Sequence, residues 1–272
     1  MNEQNGRGFQ AVVRHAFNEN MQDQYFEGVS AELAVVAPRS KLKRFARQDD
    51  IAGEVAQDNG PAVVGPSLMV FDEQLSVDDR QNAIDSQTFA EAVVRRLPKG
   101  TSNEQRYIEY NDALLATGWT VESFTYKRFV SKKVTLTVNE AVLQVLETVI
   151  AGGSGNILSM VSSGFRQLKG DKEGLKVVDI GSQRNQVISF KAVPCIATPG
   201  GGMALVLGGL DLIDKKYDGN FLFVSFQSEG VQLFQAAGVR NFNRRMFERK
   251  KQKVYDYIDQ FGDDLFKKLT SQ

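Results

Sequence analysis

QVISFKAVPCIAT at 186–198 and MALVLGGLDLI at 203–213, separated by Pro199, Gly200, Gly201 and Gly202, decide how this chain reads. Both runs are dense in Val, Ile, Leu and Phe, and the glycine-rich break between them suits a reversal of direction. Two further segments, Lys176 to Ile180 and Asn220 to Gln227, have a similar composition, and Asp218-Gly219 before the second is the strongest hairpin turn in the region. The four segments read as an antiparallel meander.

Upstream of the meander, the pattern changes period. Ser76 precedes Asp78 and Asp79, while Arg95, Arg96, Pro98 and Gly100 close the segment, so Val77 to Leu97 reads as a helix with cap, dipole charge and stop residues in place. Thr101 or Ser102 caps a second helix, which carries Tyr107, Tyr110 and Leu114 on one face and ends before Gly118. These two form an αα-hairpin. From Trp119 the residues become β-branched and aromatic, and Val134, Leu136 and Val138 alternate, which predicts two strands over 119–138. Thr137 and Glu140 have capping-box spacing before Ala141, Val142, Val145, Leu146 and Val149. That third helix ends at Gly152-Gly153, a hinge is expected over Gly152 to Asn156, and Ile157, Leu158, Val161, Phe165 and Leu168 suggest a fourth helix packed back on the third.

A last helix begins near Arg244, with Val254, Ile258, Phe261 and Leu265 on one face. Residues 1–75 are the hardest to read, although Pro66 to Phe71 could form a short edge strand. Together these segments predict one α+β domain over 1–272, with helices packed on an antiparallel sheet drawn mainly from 119–138 and 176–238.

Composition narrows the function classes. The chain has 33 Lys plus Arg against 33 Asp plus Glu, so no global field attracts it to nucleic acid. Cys195 is the only cysteine and His15 the only histidine, which leaves neither a disulfide nor the usual nitrogen and sulfur ligands of a zinc site. No metal is expected. Gly152-Gly153-Ser154-Gly155 lacks the spacing of a nucleophile elbow, and Gly200 to Gly202 has no following Lys-Ser or Lys-Thr, so neither supports hydrolase or phosphate chemistry. The start of the chain lacks the basic and apolar regions of a secretory signal, and synthesis in a cytosol is the expectation.

Three features remain as candidate sites. The basic run Arg244, Arg245, Arg249, Lys250, Lys251 and Lys253 could meet anionic lipid headgroups. Two long uncharged segments, Thr148 to Phe165 and Ala192 to Leu210, suit either a core or a sleeve for an acyl chain. Cys195 lies in the second, within Val193-Pro194-Cys195-Ile196-Ala197.

A mixed α and β chain of 30.2 kDa with a lone cysteine in an apolar, glycine-rich stretch resembles the Erwinia virulence factor family. That resemblance implies a bacterial virulence or host-interaction factor, associated with lipid or membrane and possessing a palmitate in thioester linkage at the position of Cys195. The expected place for such a chain is between the sheet and the helices of the Thr148 to Phe165 hairpin. Two alternatives stand beside it. One is an acyltransferase or thioesterase in which Cys195 is the nucleophile and His15 or a carboxylate the base. The other is a structural or partner-binding protein with no acylation.

Overall fold

The computed structural model describes residues 14, 16–36, 55–56, 60–131, 133–150, 155–184, 187–213, 221–227 and 231–270. An eight-stranded sheet forms its middle layer. The strands are β1 (Val55–Ala56), β2 (Ala62–Val64), β3 (Ser67–Phe71), β4 (Trp119–Arg128), β6 (Gln183–Arg184), β7 (Val187–Ala197), β8 (Met203–Ile213) and β10 (Gln232–Phe242). They run in the order β1-β2-β3-β7-β8-β10-β4, with β6 on the β7 edge. Among the described residues every pairing in this sheet is antiparallel except β3 with β7. A separate pair joins β5 (Thr135–Leu136) to β9 (Phe226–Gln227).

Helices cover both faces of the sheet. The first face packs on α1 (Glu19–Val36), α2 (Val77–Arg96), α3 (Asn103–Ala116) and α7 (Arg244–Thr270); the second packs on α4 (Val138–Val149), α5 (Gly155–Gly170) and α6 (Lys172–Ser182). An antiparallel sheet commonly leaves one face wet and then alternates apolar with polar residues. Here both faces are covered, which explains why β7 and β8 read as nearly unbroken apolar runs. Val193, Cys195, Leu205 and Leu207 point to the first core, and Phe190, Ala192, Val206 and Leu210 to the second.

Local chemistry sets the helix starts. Ser76 accepts from the Asp79 amide at 3.1 Å and Ser102 from the Gln105 amide at 3.1 Å, each satisfying an orphan donor. Thr137 and Glu140 complete a reciprocal capping box at the head of α4. Gly118 takes φ +90 between α3 and β4, where a Cβ would lie 2.9 Å from Asn243 O, so the α7 start seats directly on this turn.

Four sequence expectations need correction. Lys176 to Ile180 is not a strand but part of α6: its Val177 and Val178 lie in a helix whose buried side, Gly174, Val178 and Gly181, repeats at helical spacing. Gly181 allows that helix to pack against the Gly65–Pro66 backbone, where a Cβ would sit 2.5 Å away. Ser67 to Phe71 is an interior strand between β2 and β7 instead of an edge. Finally, the second strand of 119–138 reduces to β5, and Asn220 to Gln227 supplies a 3-10 turn at Phe221–Phe223 and β9, both apart from the large sheet. Residues 152–154 of the expected hinge, and Asp218-Gly219, lie outside the described residues, and Gly155 and Asn156 begin α5.

Candidate functional site

Cys195 sits in β7 opposite Leu205 of β8 and beside Phe71 of β3, fully buried. Its carbonyl accepts from the Asp72 amide at 2.9 Å, which ties the end of β3 to the strand. Burial pushes the thiol above its ordinary pKa, so it is held in the protonated form. An activated cysteine needs an electropositive, partly exposed setting that stabilises thiolate, and this one has the opposite. The structure also places the side chain on the first face, against α2, α3 and α7. The α4 and α5 helices, between which and the sheet an acyl chain was expected, pack on the other face. That placement is therefore corrected: period-two alternation along β7 sends 193 and 195 to one side and 190 and 192 to the other. His15, the proposed partner base, lies outside the described residues.

The basic run on α7 is largely spent on internal ion pairs. Arg244 donates to Asp79 of α2, Arg249 to Glu19 at 2.9 Å, and Lys250 to Asp23 at 2.8 Å, the last two partners belonging to α1. Lys253 also reaches Asp23, whose carboxyl these two lysines hold below its usual range. Lys250 has only 6% of its side chain exposed, so it cannot meet a headgroup in this arrangement. Of the six cations in the run, Arg245 is the one with no ion pair among the described residues.

The first face also holds a buried polar network that no sequence motif marks. Lys191 of β7 donates to Glu91 of α2 at 2.8 Å, with both side chains almost fully buried. Ser67 and Gln87 donate to the same Glu91 oxygen at 2.8 and 3.1 Å, and Tyr110 donates to Gln87 at 2.7 Å. Beside them Asp211 accepts from Ser189 and from Tyr126, and Arg240 donates to the Asn111 side-chain oxygen. Burial lowers Arg240 to about 10, since its partner is a neutral amide instead of a carboxylate. Lys191 and Asp211 are the charges that bound the long uncharged run, and this was the available signal. The adjoining cavity, lined by Tyr107, Tyr110, Ser189, Lys191 and Asp211, holds about 20 Å³, room for about one water. The network ties α2 and α3 to the sheet.

An open polar groove of about 470 Å³ runs between the end of β3 and α5. Asp72, Glu73, Asn156, Ser159, Ser163 and Arg166 line it, a set that hydrogen-bonds polar groups and offers no apolar sleeve. Cys195 lines neither concavity. Among the described residues no cluster of His, Cys, Asp and Glu could hold a metal, and no helix is long and apolar enough to cross a membrane.

No family model and no curated protein matches the chain. Among solved structures, it is similar to the Evf virulence factor, with 14% identity over 89% of this chain and 90% of that one, at a TM-score of 0.37. It is similar also to the activated Cyt2Ba monomer from Bacillus thuringiensis subsp. israelensis, with 14% identity over 64% of this chain and 97% of that one, at a TM-score of 0.39. A delta-endotoxin is 12% identical over 76% of this chain and 89% of its own, with a TM-score of 0.38, so the three are weak resemblances at the level of fold.

Proposed function

We propose that this protein is a membrane-interacting factor of the virulence or host-interaction type, whose helical layers shield a sheet able to meet lipid. The observation that carries this reading is the two-faced character of β7, β8 and β10. Ile188, Phe190, Ala192, Val206, Leu210, Leu212, Leu233 and Ala237 belong to the core under α4 to α6. The opposite face is mixed: Val193, Cys195, Leu205 and Leu207 pack in its core, and Ser189, Lys191, Asp211 and Arg240 add polar groups there. These strands are each 11 residues long and β4 has 10, and they are contiguous and antiparallel. A bilayer-spanning strand needs about 9–11 residues, apolar toward lipid and polar on the other side. The second face meets that requirement once its helices separate from it.

The test is leakage of a trapped dye from phospholipid vesicles, using a protein whose α4 can be locked to β8. A Cβ on residue 208 would lie 2.5 Å from Leu146 Cγ, so Leu146→Cys with Gly208→Cys brings two thiols together. The oxidised protein should bind vesicles without releasing dye, and reduction should restore release. Equal release from both forms, or none from the unmodified chain, would refute layer separation.

A second reading has Cys195 modified by a fatty acyl group in thioester linkage. Its support is the buried, largely apolar setting of the thiol beside Val193, Leu205 and Phe71. A chain attached there must displace side chains of the first core. Intact mass before and after hydroxylamine tests it: loss of an acyl increment from the wild type, absent in Cys195→Ser, is the expected result, and an unmodified mass rejects it.

A further inference from the structure

Five large apolar side chains stand out as exposed among the described residues: Val77, Val130, Val134, Ile180 and Val224. Four of them gather at one end of the molecule. Arg128, last in β4, pairs with Phe234 near the start of β10; Phe234 pairs with Asp211 near the end of β8, and Asp211 with Ser189 near the start of β7. The connection from β4 to β5 therefore emerges at the sheet end where β7 begins, and it bears Val130, 81% exposed, and Val134, 62% exposed. Ile180 lies just before β6, which pairs with the first residues of β7. Val224 precedes β9, the partner of β5.

The sequence of this connection, KRFVSKKV at 127–134, sets its valines among cations. Lys127 and Arg128 are exposed, while Lys133 pairs with Glu140 at 3.2 Å yet keeps 58% of its side chain in contact with solvent. Phe129 turns inward, and its amide donates to Leu233 O at 2.9 Å, which fixes the root of the connection on the sheet. Lys176 sits one helical turn before Ile180 and is likewise exposed. On a chain with zero formal charge, such a local basic surface is a departure: within 127–134 the cations stand among valines, and Glu140 is the acidic group that reaches one of them. Water solvates the cations and not the valines, whereas an anionic bilayer surface accommodates both, with headgroups for the charges and the acyl boundary for the aliphatic side chains.

We infer that this end of the sheet, centred on Lys127, Arg128, Val130, Lys133 and Val134, is the surface by which the protein first docks on anionic phospholipid bilayers. The inference rests on the membrane reading above and names the face that reading leaves unassigned. Docking is distinct from release: it needs no separation of the layers, and it should precede leakage.

Cosedimentation with phosphatidylcholine vesicles, with and without one-third phosphatidylserine, tests the assignment at low and high salt. Wild type should prefer the anionic vesicles and lose that preference in high salt. Lys127→Gln with Arg128→Gln should weaken partitioning about 30-fold at low salt, the equivalent of about 1 kcal/mol per cation. Val130→Ser with Val134→Ser should weaken it on the order of tenfold or more on both compositions, through lost burial of two aliphatic side chains. All four positions are exposed, and unchanged thermal melting would establish that each variant folds. If wild type binds and both double variants bind equally well, this face is not the docking surface although the membrane reading stands. If wild type binds neither composition, both fall.

Discussion

Lys191 and Glu91 show at the scale of single residues why buried charge specifies more than it stabilises. Each ion has left water, and the pair is sustained by mutual attraction together with the Ser67 and Gln87 donors. Lys191→Met should cost about 3–5 kcal/mol by leaving Glu91 buried without its cation, while Lys191→Met with Glu91→Leu should recover most of that loss. Urea denaturation of the two variants checks it, and equal losses would show that the pair itself stabilises the fold. Asp112 behaves differently. Burial raises its carboxyl to about 6 despite Arg14 at 3.3 Å. An unfolded aspartate titrates near 4, so the folded chain binds the extra proton between about pH 4 and 6, and stability from this group falls as pH rises through that window. Asp112→Asn should therefore raise the melting temperature at pH 7 more than at pH 4.5. An equal change at both values would place the cause elsewhere.

Among elements, legibility followed whether a segment's signal was local. The starts of α2, α3 and α4 are legible because Ser76, Ser102 and the Thr137–Glu140 box act within one turn. The runs 186–198 and 203–213 match β7 and β8 to within a residue because few other states suit such apolar, β-branched segments. Lys176 to Ile180 misled because Val177, Val178 and Ile180 form a short apolar cluster whose period cannot be judged over five residues. The interior position of β3 depended on a parallel pairing with β7 more than a hundred residues away, which no local pattern encodes. The site was less legible than the fold. Cys195 was correctly placed in an apolar strand, but its face depends on register, and the α7 cations were quenched by α1, an element the sequence did not disclose. Since Asp23 serves both Lys250 and Lys253, Asp23→Asn should leave a buried ammonium without its carboxylate and loosen α1 before the rest. Hydrogen exchange should show faster exchange across α1 with β7 and β8 still protected; uniform acceleration would mean that α1 is not a separable unit.

For the whole molecule, the sheet divides two apolar cores that answer to different helical layers. Leu115 of α3 and Leu146 of α4 are both fully buried, one in each core. Truncation to alanine at either site should cost about 2–5 kcal/mol through lost contacts and a residual cavity. Because they lie in different cores on opposite faces of the sheet, the double variant should lose close to the sum, within about 0.5 kcal/mol. Stability alone therefore does not distinguish the layers, but membrane activity should. If the apolar second face is the one that meets lipid, Leu146→Ala lowers the cost of lifting α4 from β8 and β10 and should speed dye release from anionic vesicles. Leu115→Ala weakens the layer over the face containing Lys191, Asp211 and Arg240, whose exposure to hydrocarbon would be costly. Its release should remain near that of wild type even where its loss of stability matches that of Leu146→Ala. Equal acceleration by both variants would mean that general destabilisation, and not separation of the α4 to α6 layer, governs the release.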